Sequence, residues 1–507
     1  MSNSTDINAI ISPQTKDNSN HNYNTFHQEH QFLTTTSNMD NDNENQSLIK
    51  PNSSLSSSSS EHSYPFLQSL LSNIGFTYIH LLSVITSSLI FFAEGSEMIS
   101  FNILIPILEK IFSNHNKYLL SMISSIFFIG YLLGTFFVGT AAKHLSRRKS
   151  ILLSLSSISF FGITIVIFEN IYFILLCRFI IGFFVGLALP QVFSNLFETL
   201  PPHIKYKELF IFSVFIFARC GYIYFLVMYN FFQANWRVSF ILAVVPILIS
   251  TVAAYLFIED SILMKFNKQQ LNEVVTSINN YHSVLNISPL NNNDIATLNN
   301  EILSYSRISK NSNDFSYLML FKPTYIKVSC LIITIMAMTS MISFTNIYSL
   351  PIILSTLNDS YNVGYMVISH IVTIPAVIIA AFVTRVIGRK GTMLCGLMCC
   401  GLMGVVTSIR EDMVVMVSSM INFWIVFCLC CGRLFIMECF PTKLRDISLA
   451  VVMAFAKVGD SLTPFISDFL MERMLVKGPF LQISALSVIG VVAIMLLPFD
   501  TKGKTME

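Results

Sequence analysis

The chain has 507 residues, 53% hydrophobic and only 12% charged, with a net charge of +2. Soluble domains carry about 25% charged residues; here the apolar residues gather in uncharged runs of roughly 20, long enough to cross about 30 Å of hydrocarbon as helices. That excludes an ordinary soluble domain, and no basic patch larger than a membrane-flanking cluster points to nucleic acid.

Residues 1–73 are polar and rich in Ser and Asn, with an unbroken run from Ser56 to Ser60. They cannot bury enough apolar surface to fold, which predicts a disordered N-terminal tail. No charged n-region precedes a short apolar stretch, so no cleaved signal peptide is expected. Within the tail, Glu44 with Leu48-Ile49 fits an acidic dileucine sorting pattern and makes sorting adaptors candidate partners.

Twelve apolar segments follow, at 79–104, 119–142, 150–168, 171–192, 209–230, 236–257, 325–349, 363–384, 391–409, 413–436, 447–469 and 479–498. They predict an all-α membrane protein of twelve transmembrane helices. The segments divide into a six-helix half at 74–258 and another at 325–500, with a polar connection at 259–324 and a short end at 501–507. The connection holds one moderately helical piece around 269–278.

Two polar phrases repeat between the halves. Glu198, Pro201 and Lys205 match Glu438, Pro441 and Arg445 as E-x-x-P-x-x-x-(K/R), 240 residues apart. Ser146-Arg147-Arg148-Lys149 and Gly388-Arg389-Lys390 recur at nearly the same offset. Two phrases sharing one offset imply a duplication, which is one way transporters are built. The basic clusters Lys143, Arg147, Arg148, Lys149 and Arg385, Arg389, Lys390 place these loops, both termini and the connection in the cytosol. Asn358-Asp359-Ser360 is then an external glycosylation candidate, and Asn286-Ile287-Ser288 a cytosolic, unmodified one. The ten cysteines lie in or beside apolar segments, with no metal-ligand spacing; neither a structural disulfide nor a metal nor another cofactor is expected.

A charge at the bilayer centre costs roughly 2.5–3.5 kcal/mol, so those present need a reason. Glu94 and Glu97, three residues apart, share one face of segment 1. Arg219 lies mid-segment 5, and Lys457 and Asp460 lie mid-segment 11. Arg178 falls about two turns inside the outer end of segment 4, and His370 in segment 8. One reading makes Lys457 and Asp460 a local neutral pair. The other makes Glu94, Glu97, Arg219, Lys457 and Asp460 a midplane site for a substrate or proton, with Arg178 and His370 structural or coupling residues. The four-residue spacings Gly130/Gly134 and Gly182/Gly186 predict close helix contact. Pro106, Pro190 and Pro464 interrupt backbone bonding at or inside helix ends.

From residue 74 to 504 the chain resembles the major facilitator superfamily, in the branch of synaptic vesicle glycoprotein 2, its relatives and the organic-ion transporters. Ala93-Glu94-Gly95-Ser96-Glu97-Met98 is similar to the branch's A-D-x-x-E-M phrase. Arg178, Gly182 and Gly186 match R-x-x-x-G-x-x-x-G, and Trp236, Arg237 and Phe240 match W-R-x-x-F. Glu438, Pro441, Thr442 and Arg445 match the phrase after helix 10, and Gly459 with Thr463-Pro464-Phe465 matches helix 11. Leu497 to Gly503 is close to L-P-x-E-T-K-G. The resemblance implies two six-helix halves rocking around a central cavity, with helices 3, 6, 9 and 12 outside. It also implies a cytosolic gate at Gly139, Arg147, Arg148, Glu198, Gly388, Arg389, Glu438 and Arg445. The loop motif G-x-x-x-D-R-x-G-R-R is altered, however. Lys143 and Arg385 stand where the two Asp belong, and Ser146 and Ala381 where two Gly belong. After helix 6, P-E-S reads Glu259-Asp260-Ser261.

The sequence therefore points to a secondary transporter of a small organic ion or similar solute, working by alternating access, with Glu94 and Glu97 as candidate proton or cation sites; coupled transport and facilitated diffusion both fit. A non-transporting receptor or vesicle component of the same fold, and a sugar-type facilitator, are the alternatives. No nucleophile–base pair or phosphate loop indicates an enzyme. The plasma membrane and an intracellular vesicle both fit.

Overall fold

The computed structural model describes residues 65–111, 117–168, 170–201, 207–232, 236–310, 320–323, 325–357, 363–410, 413–440 and 442–501. Asn358 and the dileucine pattern lie outside these residues. The described residues are helical, with no strand among them. A short α1 (Pro65–Asn73) leads into α2 (Tyr78–Ile111), α3 (Lys117–His144), α4 (Arg147–Ile167), α5 (Ile171–Thr199), α6 (Lys207–Phe232) and α7 (Trp236–Phe257). The connection holds α8 (Ile262–Asn267), α9 (Leu271–Val284) and α10 (Asn292–Lys310). The second half comprises α11 (Ile326–Leu357), α12 (Val363–Ile371), α13 (Thr373–Ile387), α14 (Arg389–Ile409), α15 (Val414–Cys439), α16 (Thr442–Met474) and α17 (Lys477–Met495). Among the described residues, twelve spans are long and apolar enough to cross a membrane, with α12 and α13 together making one.

Several helices outrun their apolar segments. α2 continues to Ile111 and α5 to Thr199. Backbone bonding propagates a helix into polar sequence once it has started, so hydropathy marks the hydrocarbon-deep part and not the helix end. Glu198 and Glu438 consequently sit on the last turns of α5 and α15 rather than in loops. The eighth segment is broken at Val372, because Pro375 lacks an N–H and its ring crowds the carbonyl four residues back. Thr373 Oγ1 donates to the His370 carbonyl beside the break, at 2.6 Å.

Glycines set the packing inside the first half. A Cβ on Gly130 or Gly134 would run into the carbonyl oxygens of Phe179 and Phe183, and one on Gly182 or Gly186 into those of Phe127 and Tyr131. α3 and α5 therefore meet backbone to backbone, as the paired four-residue spacings predicted. Gly95 and Gly221 join α2 to α6 in the same way, against the carbonyls of Ala218 and Phe92.

The connection is more ordered than its composition predicts. Val274 and Ile278 of α9, Leu298 and Ile302 of α10, Phe266 of α8 and Leu67 of α1 form a small separate core. α1 falls in the stretch expected to be disordered. Its apolar residues Phe66, Leu67, Leu70 and Leu71 instead cover the connecting helices, and Glu301 accepts the Phe66 and Leu67 N–H groups at 2.9 and 3.1 Å. Those N–H groups have no partner inside the helix, and the carboxylate suits the positive helix end. Tyr281 of α9 stacks on His80. Burial and the nearby Glu259 push its hydroxyl up to about 12.

Candidate functional site: a charged cavity between the halves

Five helices enclose a cavity of about 90 Å³ where the two halves meet. Each presents one stripe to it, as helical spacing requires. α2 contributes Phe91, Glu94 and Met98, α6 contributes Phe215, Arg219 and Tyr222, and α11 contributes Ser340 and Phe344. α15 supplies Cys430 and Arg433, and α16 supplies Lys457 and Asp460. Glu94, Arg219, Lys457 and Asp460 are thus brought together from both halves.

Lys457 Nζ lies 2.6 Å from Asp460 Oδ2, and Ser340 Oγ donates to the same oxygen at 2.7 Å. The lysine also sits over the rings of Phe128 and Tyr131, at 5.0 and 5.1 Å. The local neutral pair is therefore part of the cavity lining. Glu94 lies within electrostatic reach of Lys457, Arg433 and Arg219. His370 is buried behind Tyr222, with ring centroids 4.8 Å apart across the two halves.

Glu97 and Arg178 stand apart from this cavity. Arg178 Nη1 is 2.7 Å from Glu97 Oε1, with both side chains under 5% exposed. The guanidinium carbon lies 3.4 Å from the Phe101 ring centroid and 4.5 Å from that of Phe127. The three-residue spacing places the two carboxylates about 60° apart on α2. That is enough to turn Glu94 toward the second half and Glu97 into the interior of the first.

The end of the bundle that carries α8–α10, here the loop face, repeats one clamp in each half. In the first, Arg147 donates to both Glu198 oxygens at 2.6 and 3.1 Å, and Ser261 Oγ adds a bond of 2.7 Å. Asp260 accepts the Arg148 N–H at 2.9 Å, near the start of α4. In the second, Arg389 donates to both Glu438 oxygens at 3.1 and 2.8 Å, and Asp500 accepts the Arg389 N–H at 3.1 Å. Each acid at a helix start also suits the helix dipole. Ser146 works as an extended N-cap accepting the Lys149 N–H, whereas Gly388 holds the equivalent turn at φ 93°. A side chain is tolerated at the first turn and strained at the second.

Glu198 and Glu438 each serve their own half. The crossing is made by Glu208, on the first turn of α6. Arg385 donates to Glu208 Oε2 through Nη2 at 2.7 Å and Nε at 3.2 Å, and Arg389 Nη2 reaches Oε1 at 3.4 Å. Arg385, which stands where the motif has Asp, is therefore the arm of a bridge between halves. Arg445 of α16 adds a second crossing, with its guanidinium 5.0 Å from the Phe197 ring of α5. These contacts tie the two halves together at the loop face. Gly139 lies on the last turns of α3 at this end.

Sequence reasoning missed Arg433 and Glu208. Arg433 lies in an apolar span just before the familiar Glu438 phrase, and the cost of an intramembrane charge, applied to the tenth segment, would have flagged it. Glu208 opens α6 three residues after Lys205, and the matching position in the second half is Ser448. The repeat itself therefore singles it out as an unmatched charge.

Two six-helix bundles around a charged cavity at their interface define a polytopic membrane carrier. Residues 34–507 match the sugar (and other) transporter family, and the chain belongs to that family, within the major facilitator superfamily. It is a transporter-family protein and not an enzyme. Synaptic vesicle glycoprotein 2C of Rattus norvegicus is 37% identical over 78 residues, which is 15% of this chain and 11% of that one. The putative transporter svop-1 of Caenorhabditis elegans is 33% identical over 76 residues, 15% and 14% of the two chains. The matched stretch thus spans about a tenth of these relatives. The proton:xylose symporter XylE, bound to 6-bromo-6-deoxy-D-glucose, aligns with a TM-score of 0.69 at 15% identity, covering 85% of this chain and 98% of that one. XylE from E. coli in a partially occluded inward open conformation gives 0.64 at 15% identity, covering 85% and 100%. At that identity the likeness is one of fold.

Proposed function

We propose that this protein is a secondary transporter that carries a small organic ion through the central cavity by alternating access. The observation that carries the reading is the cavity lining: Glu94 and Arg219 from one half face Arg433, Lys457 and Asp460 from the other. Side chains from two moving bodies that meet at one small site can release a solute when the bodies part. The cavity is smaller than the roughly 300–1,000 Å³ of pockets that hold drug-sized ligands, so the halves must separate to load it. Glu94 is the carboxylate placed to take a proton or cation with the solute. Glu97, locked to Arg178, has a holding role.

We assign the loop face to the cytosol, from its basic clusters. Both termini then lie in the cytosol, and either the plasma membrane or a vesicle membrane accommodates the chain. A sugar-type carrier is the second reading, favoured by the family description and by the sugar analogue bound to XylE. Five ionisable side chains on the lining weigh against it.

The test is uptake into proteoliposomes of labelled organic cations, anions and sugars, with and without an imposed pH gradient, by the native protein and Glu94→Gln. Gradient-driven uptake of an ion, lost in the variant, is the expected result. Uptake of sugars alone establishes the second reading. No uptake of any solute by folded, correctly inserted protein overturns transport and leaves a receptor or vesicle component.

A further inference from the structure

The two guanidiniums in the cavity lack the carboxylate contact that Arg178, Arg147 and Arg389 have. Arg178 has Glu97, Arg147 has Glu198 and Arg389 has Glu438. Arg219 and Arg433 donate no hydrogen bond to any described acceptor; Arg219 Nη1 and Arg433 Nε are buried and unpartnered. Each leans on an aromatic ring instead. Arg219 lies 5.1 Å from the Tyr222 centroid, and Arg433 reaches across the interface to lie 4.8 Å from that of Phe215. Buried guanidinium N–H groups are normally satisfied, because leaving them bare in a low-dielectric site is unfavourable. These two are arranged to bond something that enters the cavity.

The charge count says what enters. Lys457 and Asp460 cancel each other in contact. Until it takes up a proton, Glu94 offsets one guanidinium within its reach. One positive charge is left over in the closed site. A neutral solute leaves it uncompensated, a cation adds to it, and a dianion overshoots it. A single negative charge cancels it. The walls Phe91, Phe215 and Phe344 match a carbon body rather than a bare inorganic ion.

We propose that the solute is a small monovalent organic anion, a monocarboxylate, held between Arg219 of the first half and Arg433 of the second. The inference rests on the transport reading above and names its substrate class. Planar guanidiniums and a planar carboxylate form paired, charge-assisted hydrogen bonds. The anion therefore joins the two halves, and closure around it satisfies donors that closure alone leaves bare. Arg433 becomes a specificity-determining residue, since it brings the second guanidinium to the anion.

The experiment measures thermal stability of the purified full-length protein with acetate, lactate and benzoate. Benzamide, benzylamine, 4-(aminomethyl)benzoate and terephthalate serve as the neutral, cationic, zwitterionic and dianionic comparisons. Uptake of the same compounds into proteoliposomes runs in parallel. The expected result is stabilisation by one or more monocarboxylates and by none of the comparison compounds. Arg433→Gln and Arg219→Gln should each raise the half-saturating concentration roughly 10- to 100-fold, and Arg433→Lys should recover part of the loss. Equal or greater stabilisation by the amide, amine, zwitterion or dianion overturns the proposal, as does no stabilisation by any monocarboxylate. Both results come from the native protein and do not depend on the variants folding. Uptake of benzamide or benzylamine that Arg433→Gln leaves unchanged overturns the anion and keeps transport. Anion-selective stabilisation with no uptake of any solute keeps the anion site and overturns transport.

Discussion

Replacing Glu208 with Gln should open the loop face. The carboxylate accepts two bonds from Arg385, at 2.7 and 3.2 Å, and one from Arg389 at 3.4 Å. The amide keeps the shape and removes the charge. Arg389 retains Glu438 at 2.8 Å, so the loss falls mainly on Arg385. A hydrogen bond to a charged group contributes about 1.5–3 kcal/mol when well shielded, and an exposed ion pair about 0–1 kcal/mol. With Glu208 19% exposed and Arg385 27% exposed, about 2 kcal/mol is the working figure. That corresponds to a roughly 30-fold change in the ratio of closed to open molecules. A native ratio near 100:1 would fall to about 3:1. Spin labels at Lys149, at the start of α4, and Lys327, at the start of α11, are both exposed and report the separation of the halves at this face. The variant should gain a longer-distance population that the native protein lacks. Distance distributions identical in the two proteins would refute the assignment of Glu208 as the closing contact.

Three further outcomes follow from the packing. Glu97→Gln leaves Arg178 charged and unpaired between α2 and α5, a loss of about 3–5 kcal/mol. Pairing it with Arg178→Gln should recover part of the thermal stability, whereas additive losses would deny the coupling. Gly182→Leu forces a side chain into the Phe127 carbonyl and should destabilise the first half by at least about 1–3 kcal/mol; an unchanged melting temperature would contradict the backbone contact. The third outcome concerns alkaline pH. Because the Tyr281 hydroxyl is raised to about 12 in the folded protein, against about 10 in an unfolded chain, the folded state holds its proton longer. That contribution to stability is complete below about pH 10 and is lost as pH rises through about 12. Thermal unfolding across this window should fall more steeply in the native protein than in Tyr281→Phe.

The architecture was legible because hydrocarbon imposes a length and forbids charges. Runs of about 20 apolar residues located the twelve spans, and the offset of 240 between Glu198 and Glu438 exposed the repeat. The same rule located Glu94, Arg219, Lys457 and Asp460, which the fold gathers. It could not tell Glu94 from Glu97, since a spacing of three residues fixes neighbours on a helix but not which partner each meets. Arg385 read as a defect in a loop motif, because its acceptor, Glu208, is 177 residues away in sequence. The helical order of 259–310 was hidden by a polar composition, which describes the outer surface of that small core better than its few buried residues.

The connecting helices also bear on how the chain is made. The contacts described for α8–α10 run backward in sequence, to α1 through Glu301, to Leu145 through Lys268 and to His80 through Tyr281. All of these partners have left the ribosome before α11 is synthesised. The first half can therefore be finished, with its cover in place, while the second is still being translated, in line with domain-by-domain folding. The second half then assembles against a partner that already has its final form.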